Sequence, residues 1–135
     1  MTIYGDVNRF DCKENYTKIT GIDASKNTGL TFLYCSYNDL TSLDLSKNVA
    51  LCTLYCSYTK IKSLNVNGCT ALTYIQCMYD SLSTLDLSTN TALTKLFCTY
   101  NKLTSLNVRN NTALCTLSCN DNKLTSLDVS NNVAL

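Results

Sequence analysis

The sequence contains no histidine and no proline, and only 4 of its 135 residues are glycine. Without histidine, the commonest general base of acid–base catalysis is missing, and so are the mixed ligand sets of many zinc sites. With no proline and little glycine, tight turns fall to asparagine, which is spread evenly along the chain with serine and threonine. No long apolar run is present to span a bilayer. The stretch MTIYGDVNRFDCKENY at the N-terminus has neither the basic segment nor the apolar core of a signal peptide. Charge of one sign is lacking too: 11 lysines and arginines against 10 acidic residues leave +1, no field for nucleic acid or an anionic membrane. These absences describe a soluble chain of about one domain, 45% apolar, that binds no nucleic acid and inserts into no membrane.

What the sequence has instead is a period. Cys35, Cys56, Cys77, Cys98 and Cys119 stand 21 residues apart. Five blocks start at Leu30, Leu51, Leu72, Leu93 and Leu114, and a sixth opens at Leu135. Each block follows L-x-x-L-x-C-x-x-N-x-L-x-x-L-x-L-x-x-N-x-A, so one phrase of nine residues, L-x-x-L-x-L-x-x-N, occurs twice with Cys replacing a Leu in the first. Stretches such as TKLFCTY and TSLNVRN are apolar at every second place, the mark of a short strand with one buried face. Such a strand pairs with its counterpart one period away, at about 4.8 Å. The expected fold is therefore an all-β-rich solenoid of coils with two short parallel β-ladders and little or no helix. Burying a leucine contributes roughly 1.5–3 kcal/mol, whereas fixing each backbone residue costs about 1–2. A single coil with four such positions does not balance its own ordering, and stability comes from stacking.

The pattern resembles the bacterial leucine-rich repeats, in particular the nested class called IRREKO, whose consensus joins L-x-x-L-x-C-x-x-N to L-x-x-L-D-L-x-x-N. The likeness covers residues 30–135, read as five leucine-rich repeats without a C-terminal cap, and ITGIDASKNTG fits the second half of a preceding coil. Residues 1–29 then form an N-terminal cap and first degenerate coil, with Phe10 and Cys12 turned inward. Three positions depart from the pattern: Thr59 and Asp80 replace the first asparagine and Cys69 the second, so those turns are expected to differ locally. The resemblance implies that Asn38, Asn101 and Asn122 in one row, and Asn27, Asn48, Asn90, Asn111 and Asn132 in the other, point inward and satisfy backbone groups at the corners.

The recurrent cysteine is read as a small core residue in a leucine slot. Five sulfurs in a straight column do not surround one ion tetrahedrally, so no metal centre is expected, and no cofactor. Adjacent column cysteines lie within disulfide range, but parallel Cβ vectors lack the near-perpendicular torsion and the total of 9 is odd, which favours free thiols.

In the family's strand segments, the third, fifth, seventh and eighth residues of each phrase face outward. On this chain that gives two unlike faces. The first carries Phe32, Tyr34, Tyr37, Tyr55, Tyr58, Tyr74, Tyr79, Phe97 and Tyr100 with Met78 among them, and these are the candidate binding residues. Tyr16 extends the row of Tyr37, Tyr58, Tyr79 and Tyr100, and a stacking ladder that merely stiffens the solenoid is the competing reading. The second face has no aromatic residue. Its rows include Asp44, Asn65, Asp86, Asn107 and Asp128, where a neutral Asn separates carboxylates that would repel. Contiguous exposed aromatic surface points to a partner.

A catalytic set is absent, since no group stands apart from the repeat and a flat ladder has no pocket. The expected function is thus a non-enzymatic scaffold for protein–protein interaction that binds a protein partner through its aromatic strand face. The alternative is a self-assembling structural solenoid, a homo-oligomer joined to its own subunit through an uncapped C-terminal coil. The family resemblance implies an extracellular or cell-surface place, and a complete chain with free thiols a cytoplasmic one.

Overall fold

The structure, a computed structural model, describes residues 1–13 and 18–135. Tyr16 lies outside the described residues. Eight strands of three residues each form: β1 (Arg9–Asp11), β2 (Phe32–Tyr34), β3 (Ser42–Asp44), β4 (Thr53–Tyr55), β5 (Ser63–Asn65), β6 (Tyr74–Gln76), β7 (Lys95–Phe97) and β8 (Thr116–Ser118). Among the described residues there is no helix, and so none long and apolar enough to cross a membrane. Every pairing is parallel. One sheet runs β1-β2-β4-β6-β7-β8 and the other is β3-β5.

The register is that of the period. Leu33 pairs Leu54, Leu54 pairs Ile75, and Ile75 pairs Leu96, so one apolar residue occupies the same place in each coil. These side chains are fully buried, as are the columns through Leu30, Leu51 and Leu72 and through Leu40, Ile61 and Leu82. A three-residue strand holds no core by itself. Its buried middle residue gains neighbours only from the coils above and below, which is why the architecture repeats rather than closes.

The cysteines superpose as well. Cys35, Cys56, Cys77 and Cys98 are buried free thiols, and each donates its N–H to a carbonyl of the coil above, as Cys56 does to Gln76 O at 2.9 Å. The column begins one rung earlier than the period indicates. Cys12 donates to Tyr34 O at 2.8 Å in the same way, and β1 pairs Arg9 with Phe32 across 23 residues. A two-residue excess in the first coil hides Cys12 from a search at fixed spacing. Burial raises the Cys35, Cys56 and Cys77 thiols well above their ordinary range and pushes Cys98 up to about 12, so the column is neutral packing material.

Both asparagine rows point inward. At the first corner Asn101 Nδ2 donates to Cys77 O at 2.7 Å and Cys98 O at 3.2 Å, while its Oδ1 accepts the Leu82 N–H at 3.0 Å. Asn38 and Asn122 repeat that arrangement. At the second corner Asn48 Nδ2 joins Ala24 O at 3.0 Å and Asn27 O at 2.7 Å in the coil below. Its Oδ1, like those of Asn27, Asn90, Asn111 and Asn132, is buried with no partner.

Both ladders are present, but the second is assigned as strand only between β3 and β5. Asp44, Asn65, Asp86, Asn107 and Asp128 each accept the N–H two residues on through Oδ1, at 2.9–3.1 Å. Asp23 caps Ser25 in the same way at 3.0 Å. These local caps satisfy turn donors within each coil, in the paired coils of β3 and β5 as in the others. Where Cys69 replaces asparagine the turn does differ. Its Sγ reaches Leu45 O at 3.1 Å, and the preceding Gly68 adopts φ +93° with a would-be Cβ only 2.8 Å from Ser46 O.

Candidate functional site

The aromatic side chains hang on the six-stranded sheet and on the turn that follows each of its strands. Strand alternation turns the middle residue inward and its two neighbours outward, which sets Phe32 and Tyr34 on β2, Tyr55 on β4, Tyr74 on β6 and Phe97 on β7 side by side. They form a connected strip. Tyr34 stacks on Tyr55 at 4.9 Å, Tyr55 meets Tyr74 at 4.9 Å, and Tyr74 meets Phe97 at 5.7 Å between ring centroids. Phe32 closes on Tyr55 at 5.8 Å. All five rings are half-buried, and burial pushes the Tyr74 phenol up to about 12 while its O–H donates to Gln76 Oε1 at 2.9 Å. At the N-terminal end of the strip the Arg9 guanidinium lies 3.6 Å from the Phe32 centroid and Lys13 Nζ 5.0 Å from that of Tyr34.

A second row runs beside the first. Tyr37, Tyr58, Tyr79 and Tyr100 stack with centroids 4.8, 4.5 and 4.3 Å apart and planes within 13° of parallel. Each is 40–46% exposed. Because every inner ring is covered on both flat sides by its neighbours, the row presents ring edges and hydroxyls to solvent.

The backbone under this row is strained. The four tyrosines adopt φ of 62, 55, 56 and 54°, a left-handed conformation that bulky residues seldom take. In the last coil the same place is held by Asp121 at φ 54°, a residue type that tolerates it. Each such tyrosine costs about 1–2 kcal/mol, and there are four; each stacked pair returns about 0.5–1.5, and there are three. Stacking alone, apart from the area the rings bury, therefore offsets only about half of the strain.

One expectation about the face is corrected. The seventh residue of the phrase does not point outward on this side: Ser36, Ser57 and Thr99 are 1%, 1% and 6% exposed, and Met78 is half-buried. The hydroxyls are needed inside. Ser36 Oγ accepts the Ser57 N–H at 3.0 Å and Ser57 Oγ accepts the Met78 N–H at 3.0 Å, so this column carries coil-to-coil bonding into the turn. Met78 thus belongs to the floor between the two aromatic rows. On the other side of the coil the seventh residues Asn67, Ser88, Arg109 and Ser130 are not buried in this way. There the hydrogen bonds of the Asp and Asn caps hold the Asp44, Asp86 and Asp128 carboxyls below their usual range, the backbone N–H two residues on being the main cause.

Parallel coils, inward asparagines and a cysteine column define a leucine-rich-repeat solenoid. The chain fits the bacterial, internalin-like kind of these proteins. Its structure is similar to the functional domain of InlJ from Listeria monocytogenes, which includes a cysteine ladder: the TM-score is 0.89 at 38% identity, over 93% of this chain and 28% of that one. It is also similar to a leucine-rich-repeat protein of Leptospira interrogans, with a TM-score of 0.62 at 18% identity over 83% of this chain and 37% of that one, a likeness of fold. The chain thus spans little more than a third of the length of these two structures at most. No protein-family model matches the sequence, and no curated protein matches it.

Proposed function

We propose that this repeat scaffold recognises a protein partner through its aromatic strand face, with Phe32, Tyr34, Tyr55, Tyr74 and Phe97 as a half-buried strip and Tyr37, Tyr58, Tyr79 and Tyr100 as an exposed rim. The observation that carries the reading is the tyrosine row in left-handed backbone. A side chain kept where it strains the chain, and where Asp121 meets the same need without a ring, is kept for what it presents. Tyrosine is suited to that task, since it offers apolar area and a hydroxyl at low rotamer entropy.

The test sets the two faces against each other. A photo-cross-linking residue is placed at Thr53 on the aromatic face or at Thr84 on the polar face, and each protein is exposed to the same cell-surface extract. Cross-links to a defined protein from position 53 alone, lost when Tyr55→Ala and Tyr74→Ala are added while circular dichroism is unchanged, sustain the reading. Equal cross-linking from both faces, or capture that survives the double substitution, moves the site elsewhere.

A second reading has one observation in its favour. In the coil that begins at Leu114, Leu117, Cys119 and Leu124 are half-buried, and Leu127 and Val129 are 37% and 40% exposed. End-to-end association with another copy would cover them, as would further coils of a longer protein. Light scattering on size-exclusion fractions at rising concentration tests this, and a monomer throughout removes it.

A further inference from the structure

The first corner has two rungs without asparagine, and they are adjacent. Thr59 follows Tyr58 and Asp80 follows Tyr79. In the complete rungs the asparagine does two jobs: Oδ1 accepts an N–H from the coil below, and Nδ2 donates to the carbonyls 24 and 3 residues back, as Asn101 does to Cys77 and Cys98. Asp80 also accepts from the coil below, but from Thr59, 21 residues back, where Asn101 takes the N–H 19 residues back; here the Ile61 N–H goes to the Thr59 hydroxyl oxygen at 3.4 Å. Asp80 Oδ1 accepts the Thr59 N–H at 2.9 Å and the Thr59 hydroxyl at 2.6 Å. Its other oxygen is buried with no partner. The carbonyls 24 and 3 residues back from Asp80, the ones an asparagine at this place would reach, are those of Cys56 and Cys77, and the Thr59 hydroxyl lies 3.2 Å from the first of them. An ionised carboxylate offers them a third acceptor; a neutral carboxylic acid offers them an O–H donor.

We infer that the Asp80–Thr59 corner is a proton-operated latch: protonated, Asp80 stands in for the missing asparagine and ties its rung to a carbonyl of the corner, and deprotonation releases that tie beneath Tyr58 and Tyr79. The chemistry of the surroundings agrees. Burial pushes the Asp80 carboxyl from 3.8 up to about 6, against the Thr59 hydrogen bonds that hold it down. The titratable groups facing it from the stacked coils are the Cys35, Cys56 and Cys77 thiols, all kept neutral by burial. Among the described residues no cation compensates it: Lys60, the residue after Thr59, is directed outward to Asp39 at 3.1 Å with 65% of its side chain exposed. The phenols of Tyr58 and Tyr79 are raised from 10, mainly by desolvation, and stay protonated over the same range.

The direction of the effect follows. A carboxyl raised in the folded state favours folding most below its unfolded value near 3.8, and that contribution fades as pH climbs through about 6. Asp80→Asn restores the permanent donor, so its benefit over the parent chain appears only where Asp80 is ionised. Thermal melts of the two proteins at about pH 4 and about pH 7.5 test this: the Asn variant is expected to melt higher by about 3 °C or more at the upper pH and to match the parent at the lower. A gap of the same size at both pH values overturns the latch. Should the variant fail to fold, the carboxyl carbon of Asp80 in the parent chain is titrated by NMR, where a midpoint above about 5 supports the proposal and one at or below it overturns it.

Discussion

On the first side the corner asparagine, in the coils that have one, works as both donor and acceptor, and the strand beside it pairs through six coils; on the second side Asn48 and its counterparts only donate, and pairing as strand covers two. The two sides are built on the same nine-residue phrase. What separates them is where their polar atoms go. On the second side, Asp44, Asn65, Asp86 and their column cap the turns of their own coil, so the polar face is accounted for by folding alone. On the first side, Ser36 and Ser57 carry the bonding inside, and the outward places are filled by stacked rings. One face is explained by its own hydrogen bonds, and the other is the one the proposed function gives to a partner.

That contrast sets an order of effects. Asn101→Ala removes a buried donor and a buried acceptor together, leaving the Leu82 N–H and the Cys77 carbonyl without their partner while Cys98 O keeps Asn122, and is expected to cost about 3–5 kcal/mol in urea denaturation. Asn48→Ala removes donors only and is expected to cost less, about 2–3 kcal/mol; equal losses would mean that the two corners do not differ as described. Gly68→Ala meets both a positive φ and the Ser46 carbonyl, and a loss of about 1–3 kcal/mol is expected in the same measurement. Asp86→Ala on the solvated face removes one exposed cap, and a loss of a few tenths to about 1 kcal/mol follows. Since the Asp86 carboxyl is held below its ordinary range, its contribution is present above about pH 4 and disappears as the pH falls below that, the opposite of Asp80.

Much of this was legible in the sequence, because columns of like residues are visible as a period. Leu33, Leu54 and Ile75, the cysteine column and the inward asparagines all sit where the spacing of 21 puts them. The failures share a physical origin, which is that the two halves of a block look equivalent and are not. Ser36 and Ser57 occupy the same phrase position as the exposed Ser88 and Ser130, and nothing in a serine says whether its hydroxyl serves a coil neighbour or water. Cys12 escaped because the first coil is longer than the rest. The strain under the tyrosines left one trace: Asp121, a residue type at ease with positive φ, follows Tyr37, Tyr58, Tyr79 and Tyr100 in the same register.

The smallest expected effect is also the most telling. If the tyrosine row is kept for what it presents, then replacing Tyr37, Tyr58, Tyr79 and Tyr100 together by asparagine relieves left-handed strain that balances the stacking and the partial ring burial it forfeits. Urea denaturation of that variant is predicted to give a stability within about 1 kcal/mol of the parent chain, or above it. A loss of about 3 kcal/mol or more would contradict the account and make the row a girder of the fold rather than the rim of a binding face.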